Sequence, residues 1–198
     1  MRLLKGHYWL LFFVFLVSCD FALNREEYIN YLSDESNGLK HSFHSNGTEI
    51  SWGYRPSSLV FYNHLKRLNT KAERDSMLAN YSDYSYFNFD ISYKGKEYLS
   101  YAPQSRTNFG KTVEDLSFNV RDWLFLVNEQ KDTIPLMDFN HARHYGMGKS
   151  NTILCTYPKK DIEQSKQLKL IVKDFGTGIG EVSFRQDIEV IKNLPKLK

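Results

Sequence analysis

Asp138, His141 and His144 are the residues whose types and spacing come nearest to a chemical constellation: an H-x-x-H pair with a carboxylate three residues before it. On a helix the two imidazoles would share a face and could ligate zinc, and a bound metal would open a hydrolytic route. The segment lies between strand-like stretches and lacks the glutamate of H-E-x-x-H. A solvated loop is the expected reading, with no metal and no other cofactor. His41, His44 and His64 lie elsewhere in the chain, and spacing does not bring them to this pair.

Other candidates are weaker. Phe175-Gly176-Thr177-Gly178-Ile179-Gly180 has the glycines of a phosphate loop. A dinucleotide loop is followed by a helix whose N-terminus meets the phosphate, whereas Glu181-Val182-Ser183-Phe184 is strand-like. A hairpin loop using positive φ is expected instead. No G-x-S-x-G or other nucleophile elbow is present, so no catalytic residue is assigned and a non-enzymatic protein is expected. The aromatic run from Tyr81 to Tyr101 alternates along a strand. Most rings therefore belong to a core, and Tyr84, Tyr86 and Tyr98 remain for an opposite face that could stack against sugars. Asp75-Ser76-Met77 and Asp132-Thr133-Ile134 match an Asp-Ser/Thr-apolar acceptor of O-glycosylation, placing candidate modifications on Ser76 and Thr133.

These residues need elements to hold them. Asn24-Arg25-Glu26-Glu27 has the form of a capping box and opens a short helix to about Ser33. Leu39–Ser45 and Thr48–Tyr54 flank Asn46-Gly47, a strong hairpin signal, whose two-residue loop sets Phe43 opposite Ile50 and His41 opposite Trp52. Ser57 to Leu68 has helical spacing. Strands follow from Tyr84 to Tyr93 and from Glu97 to Tyr101. Residues 104–120 are ambiguous, with a turn or two of helix around Val113–Leu116. Trp123–Val127 is apolar on both faces, as a central strand is, and Thr133–Phe139, Thr152–Tyr157, Gln167–Lys173 and Glu181–Arg185 complete the series. The fold class expected is α+β: short amino-terminal helices and a β-hairpin over 24–80, then a mainly antiparallel, sandwich-like β part over 84–190. With no Pro- or Ser-rich linker, residues 19–198 are expected to form one domain.

The beginning of the chain carries a different signal. Arg2 and Lys5 precede an apolar run from Tyr8 to Val17, too short for a transmembrane helix, which needs about 20 apolar residues. The run ends in Leu16-Val17-Ser18-Cys19, which resembles the lipobox of bacterial lipoproteins. That resemblance implies a signal peptide over residues 1–18 and acylation of Cys19, with palmitate among the attached chains. It also implies anchoring in a bacterial cell envelope, with the outer membrane the expected site. It covers the first twenty residues and implies nothing about the remainder. Removal of residues 1–18 takes away two cations and no acid, so the formal charge falls from +3 to +1. A near-neutral chain without a basic stripe is not expected to bind nucleic acid. Cys155 then has no partner within the chain and is expected to be a buried, inert thiol. Together these features point to a lipid-anchored, non-enzymatic interaction or assembly module with an envelope protein as partner. The alternatives are a glycan- or small-ligand-binding lipoprotein and a metal-assisted hydrolase.

Overall fold

A computed structural model describes residues 22–103 and 105–198, so the lipobox and Cys19 lie outside the described residues. The described residues begin with β1 (Ala22–Leu23) and α1 (Arg25–Ser33). The predicted capping box is present. Asn24 Oδ1 accepts the amide protons of Glu26 and Glu27, both at 3.0 Å, and Glu27 Oε2 accepts that of Asn24 at 2.9 Å.

The hairpin of β2 (Lys40–Ser45) and β3 (Thr48–Arg55) has the predicted register, with Ser45 opposite Thr48, Phe43 opposite Ile50 and His41 opposite Trp52. Asn46 and Gly47 both take positive φ, 51° and 79°, as this turn requires. The helix expected over 57–68 is broken at Phe61 into α2 (Ser57–Val60) and α3 (Tyr62–Leu65), and α4 (Lys71–Asn80) follows on its own Thr70–Glu73 capping box. The break turns Phe61 onto two tyrosines, as described below.

β4 (Tyr84–Tyr93) is the longest strand. Only β5 (Lys96–Glu97) pairs back, because Tyr98 to Tyr101 forms the helical turn α5 (Tyr98–Tyr101) and not the predicted strand. The ambiguous stretch resolves into α6 (Arg106–Ser117) and α7 (Val120–Trp123), leaving β6 (Leu124–Val127) as the strand. The single strand expected over 133–139 is two strands in different sheets, β7 (Thr133–Ile134) and β8 (Asp138–Ala142). Pro135, which has no amide proton for a ladder, lies between them. Then come β9 (Asn151–Pro158), α8 (Lys159–Gln164), β10 (Gln167–Val172) and β11 (Val182–Asp187), followed by α9 (Ile188–Lys192) and β12 (Lys196–Leu197), neither of which was predicted.

The architecture is α+β, with two principal antiparallel sheets. The larger runs β2-β3-β4-β9-β8 with β5 attached to β4, the smaller β11-β10-β6-β7, and β1 pairs in parallel with β12. Their inner faces share one core, in which Trp52, Phe87, Phe89 and Ile153 meet Leu126, Leu170 and Phe184. Trp52 and Phe87 stack at 4.7 Å with planes 7° apart. The sheets do not close into the expected sandwich, nor into a barrel. A smaller cluster of Leu23, Tyr28, Leu32, Leu39 and Leu59 packs α1 and the β1–β12 pair onto the base of the hairpin. Cys155 lies fully buried in the main core, where burial pushes its thiol far above the ordinary range. The core therefore covers one face of the large sheet and leaves the opposite face turned away from it.

Candidate ligand groove on the outward face of the large sheet

Side chains alternate along a strand, so β4 sends Phe87, Phe89 and Ile91 inward and Tyr84, Tyr86, Asn88, Asp90 and Ser92 outward. The registers extend this row across the sheet. Tyr86 stands opposite Arg55 of β3 and Thr156 of β9, and Thr156 opposite Asp138 of β8. Asn88 stands opposite Gly53 and Leu154, and Leu154 opposite Asn140.

At the Tyr84 end, the segment 61–81 folds back over the sheet. Phe61 and Tyr81 stack with centroids 4.0 Å apart and planes 23° apart, and Phe61 meets Tyr86 edge-on at 5.6 Å. Such pairs are worth about 0.5–1.5 kcal/mol beyond burial, which holds the bent segment in place. The rings wall a groove of about 440 Å³ whose other side is made by Met137, Asp138 and Asn140, with Leu154 and Thr156 on its floor. Tyr84 and Tyr81 are 38% and 36% exposed and Met137 50%, so apolar surface is available at the mouth. Tyr86 is buried beneath them, and burial pushes its phenol up to about 12, leaving it a neutral hydroxyl. A concave, largely aromatic site with a few polar groups at its rim is the form of a small-ligand site.

At the other end of β4 the face changes character. Lys40, Glu49, Ser51, Asp90, Ser92 and Lys149 line a shallow depression of about 340 Å³. Asp90 accepts hydrogen bonds from the hydroxyls of Thr152 and, at 3.3 Å, Ser150. Burial nevertheless holds its carboxyl above the usual carboxylate range, against the lowering influence of those hydroxyls and of Lys40 and Arg55. Arg55 is itself lowered by burial.

The other sequence candidates fall as follows. Tyr84 and Tyr86 are on the outward face as expected, but Tyr98 is not: it is 7% exposed and belongs to the main core, because α5 turns it inward. The Asp138–His144 segment is not the expected loop, since β8 occupies its first five residues. Alternation then sends Asp138 into the groove and His141 toward α6, where its Nδ1 lies 3.2 Å from Ser117 Oγ and its Nε2 3.5 Å from Asn151 Nδ2. His144 lies beyond the strand, and no group of three or more potential metal ligands occurs among the described residues. His41 stacks on Phe184 at 6.4 Å, His44 is exposed 4.0 Å from Glu49, and His64 is exposed on α3.

The glycine loop joins β10 to β11 as a hairpin, with positive φ at Gly176, Gly178 and Gly180. The amides of Gly176, Thr177 and Gly178 all donate to the carboxylate of Asp174, so the donors a phosphate would use already hold an anion. Ser76 and Thr133 are both exposed.

Sequence reasoning missed Phe61, Tyr81, Asn140 and Thr156. Phe61 has the spacing of a core residue on one continuous helix, and only the break at that position redirects it. No helix among the described residues is long and apolar enough to cross a membrane. Comparison with protein-family models, curated proteins and solved structures finds no match.

Proposed function

We propose that this protein is a lipid-anchored, non-enzymatic binding protein of a bacterial cell envelope, and that the aromatic groove beside β4 holds a glycan. The observation that carries the reading is the stacked Phe61–Tyr81 pair beside the exposed ring of Tyr84, facing Asp138 and Asn140 across an open groove. Aromatic faces take the apolar faces of sugar rings, and the carboxylate and amide at the rim accept and donate to ring hydroxyls. The anchoring half of the proposal rests on the lipobox-like Leu16–Cys19.

Assembly by strand addition is less well supported. Of the two edges of the large sheet, β2 and β8, the one at β8 is blunted, as natural edges commonly are. The Arg121 guanidinium donates to the carbonyls of Leu136 and Met137, and the amide of Phe139 is taken by its neighbour Asp138.

The test uses the mature lipidated protein in detergent, screened against a glycan array and followed by titration calorimetry on the hits. Specific glycan binding that Tyr84→Ala abolishes supports the reading. No glycan binding, together with an envelope protein that co-purifies with wild type and not with Tyr84→Ala, overturns it in favour of a protein partner. A Cys19→Ala variant that remained in the membrane fraction would overturn the anchor.

A further inference from the structure

The groove and the charged depression are two ends of one face, and what lies between them defines the ligand more narrowly. From Tyr86 to Asp90 is four residues of one strand, about 13 Å. Arg55 of β3 stands opposite Tyr86 in the sheet register, beside the groove but not among the residues that line it. Lys40 stands opposite Gly53, and a Cβ placed on that glycine would lie 3.6 Å from the Lys40 stem. The base of the lysine side chain therefore packs over Gly53, and Lys40 lines the depression within electrostatic reach of Asp90.

Among the described residues, Arg55, Lys40 and Lys149 make no ion pair within 4.0 Å. Asp90 makes none either, its carboxylate being held by the two hydroxyls. Arg55 is also desolvated. Desolvating a cation is costly unless it is paired, and charges left unpaired at the edge of a concave site are complementary to a ligand of opposite sign. Three cations against Asp90 and Glu49 leave this stretch net positive.

We propose that the ligand of this face is an acidic glycan, with sugar rings in the aromatic groove and a carboxylate seated between Arg55 and Lys40. The proposal rests on the groove being a glycan site. Arg55 supplies the planar fork that a carboxylate fits, and Lys40 a flexible second cation. Asp90 is faced by Lys40 from β2, by Glu49 and Arg55 from β3, and by Lys149 from the loop before β9. When ionised it repels the ligand's carboxylate, so binding tightens as pH falls and Asp90 takes up a proton.

The experiment is calorimetry of the mature lipidated protein with a panel of uronate, sialylated and pyruvylated oligosaccharides. Each is paired with its carboxyl-reduced counterpart. The expected result is at least one pair whose acidic member binds about tenfold or more tighter, the range of one charge-assisted hydrogen bond. Arg55→Gln and Lys40→Gln should each shrink that ratio. Arg55→Lys should restore part of it, and Asp90→Asn should remove the tightening at low pH. Lys40→Gln keeps the test decisive if Arg55→Gln does not fold. Equal binding of both members, abolished by Tyr84→Ala, overturns this inference and leaves the groove reading standing. Absence of binding by every member overturns both.

Discussion

Ser117 Oγ stands 3.2 Å from His141 Nδ1, and the tautomer of the imidazole sets the direction of that hydrogen bond. Asn151 Oδ1 accepts the amide proton of Leu99 at 2.8 Å, which turns its Nδ2 toward His141 Nε2 at 3.5 Å. The tautomer that satisfies both contacts has Nε2 as acceptor and Nδ1–H donating to the serine oxygen. A nucleophilic serine needs the opposite arrangement, with an unprotonated ring nitrogen to take its proton. Ser117 is accordingly expected to stay unlabelled by fluorophosphonate probes under native conditions, and Ser117→Ala to cost about 1 kcal/mol in a urea titration. Labelling of Ser117 would show it to be a nucleophile and overturn the structural assignment.

His141 also sets a pH dependence. Burial is the largest influence lowering its pKa, Arg143 and His144 add to it, and Glu97 opposes them. The unfolded chain, with a value near 6.5, then binds more protons than the folded one below that pH. Stability should be fully present above about pH 6.5 and should erode as pH falls below it. Urea midpoints at pH 7.5 and 5.5 measure the slope, and His141→Gln should flatten it. Asp90, raised in the folded state, acts with the opposite sign at lower pH.

Glu97 is 1% exposed, and its two oxygens accept the amides of Gly146 and Gly148 at 2.8 and 2.7 Å. A Cβ on Gly148 would lie 2.7 Å from Glu97 Oε1. Gly148→Ala and Glu97→Gln should each cost about 1–3 kcal/mol. Both should open the 143–149 loop to trypsin at Arg143 and Lys149. Unchanged cleavage and unchanged melting would show that the carboxylate does not pin the loop.

The groove's rings should separate binding from stability. Tyr84 stands exposed at the mouth, so Tyr84→Ala should leave the thermal midpoint within about 1 °C while abolishing glycan binding. Phe61→Ala removes the ring that packs both Tyr81 and Tyr86, and should lower stability by about 2–4 kcal/mol as well as binding. A Tyr84→Ala protein that melted like Phe61→Ala would place Tyr84 in the structural set.

Cys155 should be invisible to thiol reagents in the folded protein, since it is fully buried with a raised thiol pKa. Ellman titration should report it only as denaturant unfolds the chain. Reaction at the native baseline would reveal opening of the core around β9.

The elements legible in the sequence were those specified locally. The Asn46-Gly47 turn and the alternation on either side of it determine the β2–β3 register without help from the rest of the chain. The Asn24–Glu27 capping box does the same for α1, because its four groups lie within one turn. The period-2 pattern of β4 was enough to assign Tyr84 and Tyr86 to the outward face.

What failed depended on contacts between distant segments. Tyr98 reads as a strand residue, but the strand ends at Glu97, whose carboxylate is engaged by a loop some fifty residues later, and the following turn drops Tyr98 into the core. Ser57 to Leu68 reads as one helix because its apolar spacing is helical. The break at Phe61 follows from packing on Tyr81 and Tyr86, which no local propensity encodes. The groove itself combines Phe61, β4, β8 and β9, and only antiparallel pairing of strands about 70 residues apart sets Thr156 opposite Tyr86, with Asp138 opposite Thr156 in turn. Turns and caps are settled by neighbours in the sequence. A site is settled by neighbours in space, and those exist only once the sheet has formed.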